Sequence, residues 1–375
     1  MKLLVLGSSN AIGPYSFVDH LGRVPGFEIT NRSIGASTST AGIYALLAED
    51  SSAFDYVLID YEINEEGALQ ERLRTVEEAS LSLRSLIFAL RARDCTPLLT
   101  IVPTTHGRDR PSGAEKLYRK ICREESVHVM SIADFYRRAF RRGGAWDRML
   151  RDPFHMAVET TPIVAEAFAR AFRVLEAVRA TPREWTSRVV PMRAIPAADL
   201  VASDRRVRRA SSHRSAWHAV LRRGDRLSIP VGSGERLVGL AINCGAPGAK
   251  VAFVANGARV VKRLVIYFDQ ARLDKFISVL VDLNQAMPGG PGGIDLEVLP
   301  ANAEETERTL HQQSIVEGRY GEIEIEGFVI AASTPVLSRC IGVARPGVPC
   351  DLGGVIDSED LVARLATLGA RASLG

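Results

Sequence analysis

Four short segments, spread over about 150 residues, carry side chains that could together perform acyl transfer at an ester. They are residues 7–10, 31–36, 60–64 and 152–155. A hydroxyl that attacks an acyl carbon needs a base, an acid that orients the base, and donors for the oxyanion. Ser9, His155 and Asp152 would supply the hydroxyl, the base and the orienting acid. The Asn64 amide and backbone N–H groups of Ser9 and near Gly35 would form the oxyanion hole.

Ser9 follows the apolar run 2–6 after Gly7 and Ser8, and it stands in a turn of small residues before a predicted helix. A helix N-terminus there would offer backbone N–H groups and a partial positive charge to a developing oxyanion. The same turn could instead be a simple helix cap, and Ser8 could be the exposed hydroxyl in place of Ser9.

Asp152 and His155 are three residues apart, so one turn of loop or helix can bring the carboxylate against Nδ1 of the imidazole. Nε2 would then remain free to face the serine. Most Asp-x-x-His pairs are solvated surface residues. This one lies between the last predicted strand and a long predicted helix, where a loop can return to the catalytic edge of the sheet.

Asn64 follows a strand that ends at Asp60, and its amide could bind an oxyanion without adding charge. Asp60 and Glu62 leave a rival hypothesis open, either a general-acid pair or metal ligands. No partner acid or histidine stands at ligand spacing to support it. We therefore expect neither a metal nor a cofactor.

Residues 1–180 alternate short apolar runs with helical periods, which is typical of a parallel sheet with helices on both faces. The apolar runs are 2–6, 27–30, 56–60, 97–103 and 127–132. The helical periods are 38–47, 73–91, 114–124 and 161–178. Sites in such doubly wound folds form beyond the carboxyl ends of the strands, where Ser9, Gly35 and Asn64 all fall. We predict a catalytic α/β domain over 1–180.

The remainder of the chain changes in composition twice. Residues 181–226 hold eleven arginines against four acids, with three prolines, and are predicted to be a basic linker with a short helix near 212–221. From 227 to 375, many short apolar runs separated by turn residues predict an antiparallel, sandwich-like β domain. Within it, 322–326 alternates Glu and Ile, which predicts one buried and one solvent-facing side of a strand. Residues 358–361 are predicted to open a C-terminal helix.

Composition narrows the classes of function. A chain of 375 residues is long enough for two domains, and a net charge of +3 gives no argument for nucleic-acid binding. No run reaches the roughly 18 apolar residues of a membrane span. Five cysteines without a Cys-x-x-Cys pair indicate neither a disulfide framework nor a zinc site, which favours a reducing, cytoplasmic location. The oligomeric state stays open.

The four segments resemble the sequence blocks of the SGNH hydrolases, the superfamily of GDSL-type esterases and lipases. The resemblance covers residues 1–178, the N-terminal half only. It implies a flavodoxin-like catalytic domain in which Ser9 is the nucleophile, His155 the base and Asp152 its orienting acid. It also implies that Asn64 and an N–H near Gly35 form the oxyanion hole.

The chain departs from the family pattern in three of these blocks. The replacements in the first and third blocks are Ser8 for Asp, Asn10 for Leu, Glu62 for Gly and Glu65 for Asp. In the second block a strict alignment puts Ala36, not Gly35, at the donor position. Either residue could therefore supply the oxyanion N–H.

We therefore expect a serine esterase that removes acetyl or another short acyl group from a carbohydrate. One alternative is an O-acyltransferase of surface-polysaccharide biosynthesis, since a sugar hydroxyl can replace water at the acyl-enzyme. The other is a non-catalytic protein that binds a glycan or another protein. Six arginines between 137 and 151, and four between 205 and 209, could form an anion site or only a solvated surface. The expected partner is a small-molecule or glycan acyl ester, with no nucleic acid and no membrane span.

Overall fold

The computed structural model describes residues 1–47, 54–140, 145–211, 214–266, 276–315, 320–354 and 359–371. Its strands are β1 (Lys2–Gly7), β2 (Glu28–Asn31), β3 (Tyr56–Asp60), β4 (Thr96–Ile101), β5 (His128–Ser131), β6 (Leu150–Asp152), β7 (His155–Met156), β8 (Thr181–Val189), β9 (Met192–Pro196), β10 (Arg206–Ala210), β11 (Ser215–Arg222), β12 (Arg226–Ile229), β13 (Glu235–Asn243), β14 (Ala249–Ala255), β15 (Ala258–Leu264), β16 (Ser278–Pro288), β17 (Ile294–Leu299), β18 (Glu322–Ala332) and β19 (Val336–Ala344). Its helices are α1 (Phe17–Leu21), α2 (Ser39–Leu47), α3 (Glu62–Gln70), α4 (Val76–Arg91), α5 (Gly113–Glu125), α6 (Ile132–Ala139), α7 (Ala145–Arg148), α8 (Thr161–Ala177) and α9 (Glu359–Arg371). Among these helices, none is long and apolar enough to cross a membrane.

Five parallel strands form the central sheet of the first domain, in the order β2-β1-β3-β4-β5. β1 and β3 are apolar along nearly their whole length and buried on both faces, as strands between two helical layers must be. Helices α1, α6 and α8 cover one face, and α2, α4 and α5 cover the other. The predicted doubly wound α/β fold is confirmed.

The carboxyl edge of this sheet brings the ends of β1 and β3 together, since Gly7 and Asp60 are register partners. The segments that follow these two strands therefore start side by side. After β3 the chain enters α3, whose first turn holds Glu62 and Glu65, where acidic side chains suit the positive end of a helix. The sequence does not predict α3, because few of its residues are apolar at helical spacing.

Two antiparallel sheets form a second, mainly β domain. One sheet has the order β10-β11-β18-β13-β16, with β9 also paired to β18, and the other has the order β12-β17-β14-β15. Apolar side chains of both sheets meet in one core, among them Leu240 and Phe328 from the first sheet and Phe253 and Leu296 from the second. The mainly β character that we predict for this part of the chain is confirmed.

The arginine-rich stretch 181–226 is not a linker in the structure. It contains all or part of β8 to β12, and β11 occupies most of the stretch where the sequence predicts a short helix. The physical reason is strand pairing, since β11 lies between β10 and β18, and β8 pairs with β19. The prolines are compatible with this, because Pro182 stands in a two-stranded sheet and Pro196 ends β9. Residues 212–213 lie outside the described residues.

The C-terminal helix α9 packs on the first domain. Leu361 and Leu365 are buried in the same core cluster as residues of α6 and α8. Arg170 of α8 donates to both carboxylate oxygens of Asp360, at 2.8 and 2.7 Å. The chain thus returns to the first domain at its end, whereas the sequence assigns this helix to the second. The first predicted residue of the helix, Ser358, lies outside the described residues.

The alternating run in β18 is buried on both sides, so the predicted solvent-facing side is wrong. Glu324 and Glu326 are 2% and 5% exposed. Arg209 and Arg214 form ion pairs with them, and Tyr44 of α2 donates a hydrogen bond to Glu326 at 3.1 Å. The first domain and neighbouring arginines cover this side of the strand, and the pairing offsets the cost of burying the carboxylates.

Candidate active site

The two adjacent serines after β1 have different environments. Ser8 is fully buried, and its hydroxyl donates to Oδ2 of Asp60 at 3.0 Å. Ser9 is partly exposed, and its Oγ lies 2.6 Å from Nε2 of His155. The structure therefore brings the hydroxyl of Ser9 to the imidazole and uses that of Ser8 to join the ends of β1 and β3.

Asp152 and His155 face each other across the turn between β6 and β7. Both carboxylate oxygens of Asp152 lie 2.7 Å from Nδ1 of His155, and Oδ1 also accepts the N–H groups of Phe154 and His155. Partial burial alone would raise the pKa of Asp152, but these hydrogen bonds and the charge of Arg151 lower it below its usual value. An ionised Asp152 requires a proton on Nδ1, which leaves Nε2 as the acceptor for Ser9.

Asn10 holds the turn that carries His155. Its Nδ2 donates to the carbonyl of Phe154 at 2.9 Å, and its Oδ1 accepts the N–H of Met156 at 3.2 Å. The side chain is 7% exposed, so these bonds are largely shielded from water. One amide next to Ser9 thus binds the backbone on both sides of His155. The sequence marks Asn10 only as a departure from the family's leucine and does not predict this contact.

The predicted oxyanion residues gather around a segment that follows β2. A Cβ built on Gly35 would lie 3.9 Å from Cβ of Ser9, so this backbone passes directly beside the hydroxyl. Asn64, in the first turn of α3, is 5% exposed and donates from Nδ2 to the carbonyl of Ser37 at 3.0 Å. An amide nitrogen has two protons, so one remains for another acceptor. Ala36 has a φ of +50°, a conformation that favours the glycine expected there by the family pattern.

Asp60 and Glu62, the residues of the metal or acid-pair hypothesis, are buried and serve as links between elements. Burial raises the pKa of Asp60 to about 6, although the hydrogen bond from Ser8 opposes this. Burial also raises the pKa of Glu62 to about 8, against the hydrogen bond that Ser112, the N-cap of α5, donates to it at 2.7 Å. Within the described ranges, no three His, Cys, Asp or Glu side chains group closely enough to hold a metal ion.

Replacing Glu62 with Gln should raise stability at pH 8 and leave it nearly unchanged at pH 4. The unfolded chain loses the Glu62 proton near pH 4.3, whereas the folded protein keeps it up to about pH 8. Between these values the folded state binds more protons, so the wild-type free energy of unfolding falls as the pH rises. The free energy of unfolding of Glu62→Gln should exceed that of the wild type at pH 8 by at most about 5 kcal/mol.

Urea unfolding of both proteins from pH 4 to 9 measures this difference. Glu77→Gln, at a side chain of α4 that is 71% exposed, is the matched control and should follow the wild type. A Glu62→Gln protein with the pH dependence of the wild type would show that the buried carboxyl is not held protonated.

Arginines of the predicted anion site are paired with carboxylates of the protein itself. Arg137 pairs with Glu115 and also donates to a backbone carbonyl. Arg209 pairs with Glu324. Residues 141–142 lie outside the described part of the chain. For these two arginines the contacts favour a structural role over an anion site.

A loop of the second domain borders the site. Leu310 packs against α3, where a Cβ built on Gly67 would lie 3.6 Å from its Cδ1. The next residue, His311, lies close enough to His155 for their charges to interact. Desolvation by the surrounding protein lowers the pKa of His311. The charge of Glu71 raises this pKa, and the charge of His155 lowers it further. Nothing in the sequence around His311 indicates this placement.

No protein-family model and no curated protein matches the chain. Solved structures do, and one is a two-domain esterase active on acetylated mannans, with 15% identity and a TM-score of 0.58 over 90% of this chain and 91% of that chain. A lipolytic protein of the G-D-S-L family from Desulfitobacterium hafniense DCB-2 has 15% identity and a TM-score of 0.38 over 45% and 98% of the two chains. A catalytic mutant of an acetylxylan esterase from Geobacillus stearothermophilus has 19% identity and a TM-score of 0.38 over 45% and 92%. The first likeness shows that the chain shares the two-domain fold of that protein.

Proposed function

We propose that the protein is a serine esterase that removes acetyl or another short acyl group from a carbohydrate. The observation that carries this proposal is the unbroken hydrogen-bond chain from Ser9 through His155 to Asp152. This chain lies at the carboxyl edge of a parallel sheet, where ligands bind in doubly wound folds. The exposed side chains of Ile12 and Phe154 border it and could contact an acyl group or a sugar ring.

The geometry supports a two-step mechanism. As Oγ of Ser9 attacks the acyl carbon, Nε2 of His155 takes its proton, and Asp152 stabilises the resulting imidazolium. The imidazolium then protonates the sugar oxygen as its bond to the acyl carbon breaks, so the sugar leaves as a free hydroxyl and the acyl group stays on Ser9. Water, deprotonated by His155, attacks this ester, and the imidazolium returns the proton to Oγ of Ser9 as the acid leaves. Backbone N–H groups of Ser9 and Gly35, together with the Asn64 amide, stabilise the oxyanion in both steps.

Acetylated carbohydrate is the substrate class that the comparisons favour, because a protein with the same two-domain fold acts on acetylated mannans. Acetate release from acetylated mannan, acetylated xylan and p-nitrophenyl acetate by the purified protein tests the proposal. Unacetylated manno-oligosaccharide added to the same reaction separates hydrolysis from transfer, since a transferase would acetylate it. Binding of a glycan without turnover of any ester would favour the non-catalytic alternative.

Replacing Asn64 with Ala should lower kcat by about 10²–10³-fold with little change in KM, because its amide is proposed to bind charge that exists only in the transition state. Steady-state kinetics on p-nitrophenyl acetate measures both constants. Gln70→Ala removes another amide at the far end of α3 and should leave kcat unchanged. An unchanged kcat in the Asn64 variant would remove this residue from the mechanism.

A further inference from the structure

Residues 35–38, named the oxyanion segment from here on, have a backbone that their sequence does not favour. The segment passes beside Ser9. Within it, Ala36 has a φ of +50°. The left-handed conformation costs a residue with a Cβ on the order of 1–2 kcal/mol. Such a conformation persists only where the surrounding structure holds it.

Ser37 connects this segment to both domains. It is 1% exposed, and its hydroxyl donates to the carbonyl of Gly35 at 2.9 Å. Its carbonyl accepts from the Asn64 amide at 3.0 Å. Its Oγ also accepts the backbone N–H of Leu280 at 2.9 Å. Leu280 lies in β16, an edge strand of the second domain. Its backbone N–H, which faces away from the sheet, therefore binds Ser37 of the first domain.

A buried ionic group continues the same connection. Thr38 donates its hydroxyl proton to Oδ2 of Asp282, also in β16, at 2.6 Å. Nη1 of Arg74 lies 3.8 Å from that oxygen and 3.1 Å from each carboxylate oxygen of Glu65. Glu65 in turn accepts the N–H of Ser39, directly after the segment, at 2.9 Å. Burial alone would lower the pKa of Arg74, but the two carboxylates raise it.

Two glycines of the second domain lie at close backbone contacts near this connection. A Cβ built on Gly327 of β18 would lie 2.7 Å from the hydroxyl oxygen of Tyr44 in α2. A Cβ built on Gly239 of β13 would lie 2.9 Å from the carbonyl oxygen of Val281 in β16. Real Cβ atoms do not approach other atoms so closely, so glycine at these two positions lets β18 pack closely on α2 and β13 pack closely on β16.

We propose that β16, through Leu280 and Asp282, positions the oxyanion segment so that its N–H donors meet the oxyanion formed at Ser9. This inference rests on the proposed function and gives the second domain a part in the same site. The two β16 residues are positioning residues, because they act through Ser37 and Thr38. A displacement of catalytic groups by about 1 Å can lower a rate by about 10²-fold.

Replacing Asp282 with Ala in the full chain should lower kcat by about 10–100-fold and change KM by less than about twofold. Asp282→Asn keeps an oxygen for Thr38 and should recover most of kcat. Asp295→Ala, an exposed carboxylate in β17 of the same domain, is the matched control and should behave as the wild type. Thr38→Val removes the same hydrogen bond and should reproduce the loss if the Asp282 variant does not fold. An unchanged kcat in a folded Asp282→Ala or Thr38→Val protein would overturn the proposal.

Amide hydrogen exchange separates this inference from the proposed function. Exchange at the amides of the oxyanion segment should be at least about tenfold faster in Asp282→Ala than in the wild type or in Asp295→Ala. If the wild type hydrolyses no ester, the proposed function fails and exchange alone decides. Faster exchange confined to the oxyanion segment then supports the positioning role, and unchanged exchange removes it.

Discussion

Replacing Ser9 with Ala should abolish ester turnover and covalent labelling by a fluorophosphonate. The hydroxyl lies 2.6 Å from Nε2 of His155, so it is the group whose proton the imidazole can accept. Without it no acyl-enzyme can form, and kcat should fall by about 10⁶-fold, the effect of removing the serine of such a triad. Mass spectrometry of the labelled protein and kinetics on p-nitrophenyl acetate measure the two losses.

Ser8→Ala is the matched control for this experiment. It should keep the label and lower stability by about 1–3 kcal/mol, because buried Asp60 loses the donor that Ser8 provides. A label that persists in the Ser9 variant and disappears in the Ser8 variant would reverse the assignment of the two serines.

The placement of the segments that hold Ser9 and Asn64 at one edge could be predicted from the sequence because it depends on a rule of parallel sheets. Side chains that follow the carboxyl ends of neighbouring strands must meet at one edge, whatever the helices between them do. The pairing of Gly7 with Asp60 places the start of each segment side by side. The contact of Asp152 with His155 could also be predicted, because the two residues are only three positions apart in the chain.

The contacts that support these side chains could not be predicted, because each depends on tertiary packing between distant segments. Asn10 binds a backbone turn 144 to 146 residues away. Ser37 accepts a bond from Leu280, 243 residues away, on a strand of the other domain. Neither side chain belongs to a spacing pattern, since its partner is a backbone group that any residue could provide.

The charge patterns of the sequence do not show where ion pairs join segments that are far apart in the chain. Arginine-rich 181–226 indicated a solvated linker, and the glutamates of β18 indicated a solvent-facing side. The structure pairs Arg209 with Glu324 and Arg214 with Glu326, and both glutamates are buried. A sequence alone shows the charges but not that each is the other's partner.

Replacing His155 with Ala should lower kcat/KM by about 10⁶-fold, and replacing Asp152 with Ala by about 10⁴-fold. The second loss is smaller because the imidazole remains and loses only its orientation and the charge that stabilises its protonated form. In the wild type, kcat/KM should fall on acidification, since only the neutral ring can accept the proton of Ser9. Both variants should fold, because the bonds of Asn10 to the backbone of the turn remain, although Asp152→Ala also removes the two N–H bonds that Oδ1 of Asp152 accepts there.

His106→Ala is the matched control for these variants. The His106 ring is exposed, and its centroid lies 6.2 Å from that of Phe154, so it is a histidine near the site but outside the chain from Ser9 to Asp152. This variant should keep the acid limb of the pH profile, whereas His155→Ala should lose that limb together with its activity. A His155→Ala protein with near wild-type turnover and an unchanged pH profile would exclude the triad, because the imidazole beside Ser9 would then move no proton in the reaction.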